Sequence, residues 1–157
     1  MPSKRDLLSV TDLSPDETLS LIKQARETKL TDQPGRKPLA DKSIAILFDK
    51  PSLRTRVSFQ VGIEQLGGYS VFLGQQEVGL GGREPVLDVA KVLSGYVDCI
   101  VARLSDHELL EGLAKHATVP VVNALSNLEH PCQIMADLLT IYEHKDTLDG
   151  LSLTYVG

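Results

Sequence analysis

Ser43-Ile44-Ala45-Ile46-Leu47-Phe48-Asp49-Lys50-Pro51-Ser52-Leu53-Arg54-Thr55-Arg56 is the stretch on which the fold turns. Ser43 to Phe48 is a short, continuous apolar run with no polar alternation, so it reads as a strand buried on both faces. Pro51-Ser52 then breaks the run, and a helix is expected from about Thr55 to Leu66. Strand, tight loop and helix in that order form the unit from which parallel sheets are built.

On either side of this unit the same alternation continues. A strand is expected at Tyr69 to Leu73, then a loop with four glycines from Gly74 to Glu84, and a helix at Pro85 to Ser94. Strand Cys99 to Arg103, helix Asp106 to Ala117, strand Val119 to Asn123 and helix Pro131 to Glu143 come next. Upstream, Ser14-Pro15-Asp16-Glu17 carries an N-cap, a proline for the first helical position and a glutamate that completes a capping box. The segment 32–38, with Pro34, Gly35 and Pro38, is expected as a surface loop. The fold class is therefore α/β, a parallel sheet with helices on both faces. Leu151 to Val156 reads as one more buried strand, and Gly157 falls where a βα turn should begin. The expected division is one domain over residues 1–150 and, at 151–157, the first strand of another.

The bulk composition narrows the partners. With 157 residues, 42% hydrophobic and 24% charged, the chain is of single-domain size and can bury a core. A net charge of -5 argues against roles that rest on neutralising nucleic-acid phosphates or an anionic membrane, so an anion site must be a local cluster. Met1 to Asp12 has Lys4 and Arg5 but no apolar segment of signal-peptide length, and no run approaches a membrane span. Two cysteines, Cys99 and Cys132, form neither a disulfide framework nor a metal-ligand spacing. A cytoplasmic protein is expected.

In an open parallel sheet the ligand sits beyond the carboxyl ends of the strands, which directs attention to the loops after Phe48, Arg103 and Asn123. If Ser52 caps the helix, the amide N–H groups after it converge with the positive end of the helix dipole, and Arg54 and Thr55 add a guanidinium fork and a hydroxyl. That describes a phosphate site, although a capped, solvated helix end has the same pattern. Arg56 lies about 200° round the helix from Arg54 and is expected to be structural, pairing with Asp98. Arg103 can reach over the sheet edge into the same crevice, or snorkel to solvent. In His130-Pro131-Cys132-Gln133, Pro131 suits the first helical turn, leaving an imidazole just outside it and a carboxamide within it. A helix cap with a surface histidine fits equally, and a rival reading makes Cys132 a nucleophile activated at a helix N-terminus.

Taken together and in order, Ser52-Leu53-Arg54-Thr55-Arg56, Arg103 and His130-Pro131-Cys132-Gln133 resemble the carbamoyl-phosphate domain of the transcarbamoylases. The resemblance covers nearly the whole chain, including Phe48-Asp49-Lys50-Pro51, Val57-Ser58-Phe59 and Asp88 to Ser94. Ala136 to His144 is similar to the ornithine rather than the aspartate branch, whose lysine-bearing loop is not found here. The resemblance implies that Ser52, Leu53, Arg54 and Thr55 bind phosphate, that Arg103 and His130 polarise the carbamoyl carbonyl, and that Gln133 holds the carbamoyl amide. Arg54, Thr55, Arg103 and His130 would be the catalytic set.

It further implies transfer of the carbamoyl group from carbamoyl phosphate to ornithine, in arginine biosynthesis, with no metal or cofactor. A homo-oligomer, in the family a trimer, is expected, as is a chain that binds carbamoyl phosphate but lacks the ornithine half of the cleft. Leu53 stands where threonine or methionine is usual. Gly79 stands where a glutamine or histidine tends to reach a neighbouring subunit's ligand, and glycine offers no side chain. A transcarbamoylase for another amine, or a phosphate-ligand binding module without chemistry, are the alternatives.

Overall fold

The structure is a computed structural model that describes residues 4–31, 37–154 and 156. Among these residues four parallel strands, β1 (Ser43–Phe48), β2 (Tyr69–Gly74), β3 (Cys99–Arg103) and β4 (Val121–Leu125), form one sheet in the order β2-β1-β3-β4. Helices α1 (Pro15–Leu30), α2 (Leu53–Gln65), α3 (Gln75–Val78), α4 (Val86–Ser94), α5 (His107–His116) and α6 (Pro131–Lys145) surround it. Among the described residues no helix is long and apolar enough to cross a membrane.

The continuous apolar run of β1 is explained by its place at the middle of the sheet. Ala45 and Leu47 point into a core cluster with Ile100, Ala102, Leu110 and Leu113, which brings in α4 and α5. Ile44, Ile46 and Phe48 point the other way, into a cluster with Ile63 of α2, Val101 and Ala124. Both faces are dry, so neither tolerates the polar residue that a half-exposed strand would carry at every second position. The doubly covered parallel sheet expected from the sequence is thus present.

The strand order sets the position of the crevice. From β1 the chain steps to β2 on one side, then crosses to β3 on the other, pairing Phe48 with Gly74 and with Arg103. The loops that leave β1 and β3 therefore diverge, opening a crevice at the carboxyl edge.

Local signals account for most element ends. The Ser14 hydroxyl accepts from the Glu17 amide at 3.2 Å and the Glu17 carboxylate accepts from the Ser14 amide at 2.9 Å, the capping box expected for α1. The fourth strand, expected at Val119 to Asn123, is displaced to Val121–Leu125 because Pro120 has no N–H to give to a ladder; its carbonyl accepts from Ile100 instead. Leu7 bridges Val122, with its N–H on the Val121 carbonyl at 2.9 Å and its carbonyl accepting from Asn123 at 2.8 Å. One bridging residue has no periodicity to betray it, and the sequence reading missed this cover on the β4 edge.

The loop 74–84 is more ordered than its glycines suggest. Its first turn is α3, Gly79 takes the left-handed conformation at φ 66° that closes this turn, and Leu80 is 5% exposed within the core. Part of the expected 32–38 loop, residues 32–36, lies outside the described residues. So do Tyr155 and Gly157; residues 151–154 form no ladder, since a parallel strand exists only against a neighbour.

Candidate functional site

The first wall of the site is the start of α2. The helix begins at Leu53, two residues earlier than expected, so Leu53, Arg54 and Thr55 are its first three positions and their amides have no intrahelical acceptor. The Ser52 hydroxyl, expected as a cap, makes no capping bond; with its backbone at φ −153° and ψ 118° it enters the helix from an extended conformation. The amide array is therefore free of any side-chain cap. Arg54 is exposed and has no protein hydrogen bond or ion pair among the described residues.

The second wall comes from β3. Arg103 Nη1 donates to the Thr55 hydroxyl at 3.1 Å, which aims the guanidinium across the crevice instead of out to solvent. Asp49, which the sequence reading left without a role, braces this arrangement. Its amide donates to the Arg103 carbonyl at 3.1 Å and its carboxylate accepts from the Ser105 amide, so the loops leaving β1 and β3 are tied at their base before they run to opposite faces of the sheet.

The third wall is the β4 to α6 junction. The register slips between Ala102 and Arg103, whose partners are Asn123 and Leu125, so β4 carries one extra residue there. Such a bulge bends a strand and redirects the chain beyond it. The turn after β4 is held by the buried Ser126 hydroxyl, which accepts from the amides of Leu128 and Glu129 at 3.3 Å and contacts His107 Nδ1 at 2.8 Å. Pro131 then starts α6, and the chain delivers His130 just outside the helix and Gln133 inside its first turn, as the sequence predicts.

A cleft of about 560 Å³ brings together Ser52, Arg54, Thr55, Arg103, His130 and Gln133. Leu53 is 77% exposed and faces an adjoining hollow with Lys50, Arg56 and Phe72. Gly79 lines neither; a Cβ at this position would stand 2.9 Å from the Arg83 Cβ, in a left-handed backbone that side chains resist. A larger hollow of about 1130 Å³ between α1, α2 and α6 has no arginine among its described lining residues, so convergence of donors, not size, marks the candidate site.

One expectation is corrected and one rival reading is set aside. Arg56 does not pair with Asp98: its guanidinium lies 3.7 Å from the Phe72 ring centroid and its Nε donates to Gln60 at 3.0 Å. Asp98 precedes β3 at the opposite end of the sheet and pairs with Lys42 at 2.8 Å. Cys132 is no activated nucleophile either, because burial pushes its thiol up to about 11 and the S–H donates to the Asn123 carbonyl at 3.3 Å.

His130 is held below the ordinary histidine value, first by burial and then by the Arg103 charge, with Asp137 opposing. Its Nδ1 is buried without a partner. A neutral imidazole beside two arginines can donate one N–H without adding a third positive charge. The unfolded chain binds more protons at this position once the pH drops below about 6.5, so its contribution to stability is full above that pH and lost toward the folded value. His130→Gln is therefore expected to flatten part of the acid-side loss; urea midpoints at pH 7.5 and 5.5 that fall in parallel for variant and parent would rule this out.

The fold and the cleft define a parallel α/β domain in which two arginines, a histidine and a helix start converge at a switch point. Residues 5–143 match the family model described as aspartate/ornithine carbamoyltransferase, carbamoyl-P binding domain. The chain is 46% identical over 160 residues to an ornithine carbamoyltransferase of Chlorobaculum tepidum, covering 98% of this chain and 47% of the relative. It is 48% identical over 155 residues to that of Anoxybacillus flavithermus, covering 98% and 49%. The solved ornithine carbamoyltransferase of Pyrococcus furiosus superposes with a TM-score of 0.90 at 44% identity, over 95% of this chain and 48% of that one. The Thermus thermophilus enzyme gives 0.87 at 48% identity, over 94% and 51%. The chain belongs to the aspartate/ornithine carbamoyltransferase family, within its carbamoyl-phosphate-binding domain, and spans about half the length of the curated relatives it matches.

Proposed function

We propose that this chain supplies the carbamoyl-phosphate half of an ornithine carbamoyltransferase active site. The observation that carries the reading is the Arg103 to Thr55 hydrogen bond, which holds a guanidinium beside the first turn of α2 in a cleft shared with His130 and Gln133. Phosphate would sit on the amides of residues 53–55 with Arg54 and the Ser52 hydroxyl around it. Arg103, Thr55 and His130 would surround the carbamoyl oxygen, and Gln133 would receive the amide.

The neutral side-chain amine of ornithine attacks the carbonyl carbon, forming a C–N bond and a tetrahedral oxyanion. Collapse breaks the bond from the carbonyl carbon to the bridging oxygen, releases phosphate and, with loss of the amine proton, leaves citrulline. Arg103, Thr55 and His130 stabilise the oxyanion, and Arg54 the departing phosphate, while binding holds the reactants in line.

In this reading residues 151–157 open the ornithine-binding domain, and the enzyme works in the cytoplasm in arginine biosynthesis. It is a homo-oligomer, a trimer by family resemblance. Leu53, Val57 and Val61, exposed at four-residue spacing along α2, support a surface for self-association. The test is citrulline formation from carbamoyl phosphate and ornithine. The intact protein should turn over and residues 1–157 alone should bind carbamoyl phosphate without turnover. No citrulline from the intact protein would sink the assignment, and sedimentation showing only monomer would remove the oligomer.

A further inference from the structure

We infer that Asp137 is a positioning residue that sets which end of the Gln133 carboxamide faces the ligand, and so selects a carbamoyl group over an acyl group of the same shape. Gln133 Nε2 and Asp137 Oδ1 are 2.8 Å apart, one helical turn along α6. The two ends of a carboxamide are nearly alike in shape, but a carboxylate only accepts, so the end that meets Asp137 is the NH2. Gln133 lines the cleft, and its Oε1 has no protein partner among the described residues. The group presented for recognition is therefore a bare acceptor. An acceptor calls for a donor, and the amino end of a carbamoyl group is one; a methyl in its place leaves the oxygen desolvated and unpaired.

The arginines and the amide array do not make this choice. Arg54 and Arg103 only donate, as does the amide array at the start of α2, and these recognise oxygens common to carbamoyl and acetyl phosphates. Without Asp137 the Gln133 amide can turn over, offering NH2 where the ligand also has NH2. The same carboxylate acts on His130, whose proton affinity it raises. An effect through His130 would fall on amide and ketone ligands alike, whereas an effect through Gln133 falls on the amide alone.

The inference rests on the reading that Gln133 receives the carbamoyl amide. Binding of phosphonoacetamide and of its methyl-ketone counterpart, 2-oxopropylphosphonate, is measured by calorimetry on the intact protein. The parent and the variants Asp137→Ala, Asp137→Asn, Gln133→Ala and the Ala–Ala double variant are compared. The parent should prefer the amide. Asp137→Ala should narrow this preference roughly three- to tenfold by weakening phosphonoacetamide alone, and Asp137→Asn, which keeps an acceptor, should recover part of it. Gln133→Ala should narrow it at least as far, and the double variant no further, because both act through one hydrogen bond. Equal weakening of both ligands by Asp137→Ala, or an unchanged ratio where Gln133→Ala alters it, would overturn the role of Asp137 while leaving that of Gln133 standing. An unchanged ratio in Gln133→Ala would instead remove Gln133 from the carbamoyl amide, and the inference with it.

Discussion

Replacing Arg54 with Ala is expected to weaken phosphonoacetamide binding roughly tenfold or more while leaving the unfolding midpoint of the protein unchanged. The separation comes from the geometry. Arg54 is exposed and bonds to nothing in the protein among the described residues, so the fold loses no interaction when it is cut back. The ligand, in contrast, loses a charge-assisted contact, bidentate where the guanidinium fork meets two phosphate oxygens, worth about 1.5 to 3 kcal/mol per hydrogen bond. Arg103 should behave differently, since removing it also frees Thr55. Calorimetric titration and urea denaturation of Arg54→Ala test both halves. Unchanged affinity would take Arg54 out of the site, and a large loss of stability would show that it serves the fold.

Leu113→Ala should lower folding stability by about 2 to 5 kcal/mol. Leu113 is 0% exposed on the inner face of α5, within the cluster that joins α4 and α5 to β1 and β3. Deleting its three outer carbons removes burial and leaves a cavity in a region where neighbours are already packed. Leu113 does not line the cleft that holds Arg54, so ligand affinity of the folded protein should hold. A fall in the urea midpoint equivalent to less than about 1 kcal/mol would mean that α5 is loosely seated on the sheet. The loss should be expressed mainly as easier unfolding, with the site intact in molecules that remain folded.

The candidate cleft was readable in the sequence to an uneven degree. Ser52, Arg54, Thr55, Arg103, His130 and Gln133 could be named from the sequence because each sits next to a local signal: a strand end, a Pro-Ser helix start or a His-Pro junction. Asp49 and Asp137 could not. Asp49 acts through Ser105, 56 positions away, a pairing with no trace in local pattern. Asp137 lies four residues from Gln133, a spacing that is ordinary on any helix and acquires meaning only once Gln133 is seen to line a cleft. The Arg56 to Asp98 pairing failed for the same reason in reverse: charge complementarity in sequence says nothing about which end of the sheet each residue occupies.

Gly79 shows how a resemblance can be silent about the conformation of a position. Its lack of a side chain is visible in the sequence, but its φ of 66° and the closeness of Arg83 are tertiary facts. They make it the closing residue of the turn that ends α3, with Leu80 anchored in the core beside it.

Local sequence was enough to specify most of the elements and the dryness of the sheet, but not the short α3, the Leu7 bridge or the lack of a ladder at 151–154. Apolar runs without alternation can be satisfied only by strands covered on both faces, and proline, glycine and capping residues act within a few positions of themselves. The strand order β2-β1-β3-β4 and, through it, the meeting of three loops that are far apart in the chain came from packing alone. That order depends on which buried faces fit against which helices, a property of packed volumes and not of any local stretch. The hydrogen bond from Arg103 to Thr55, 48 residues apart, exists because that packing places β3 beside β1.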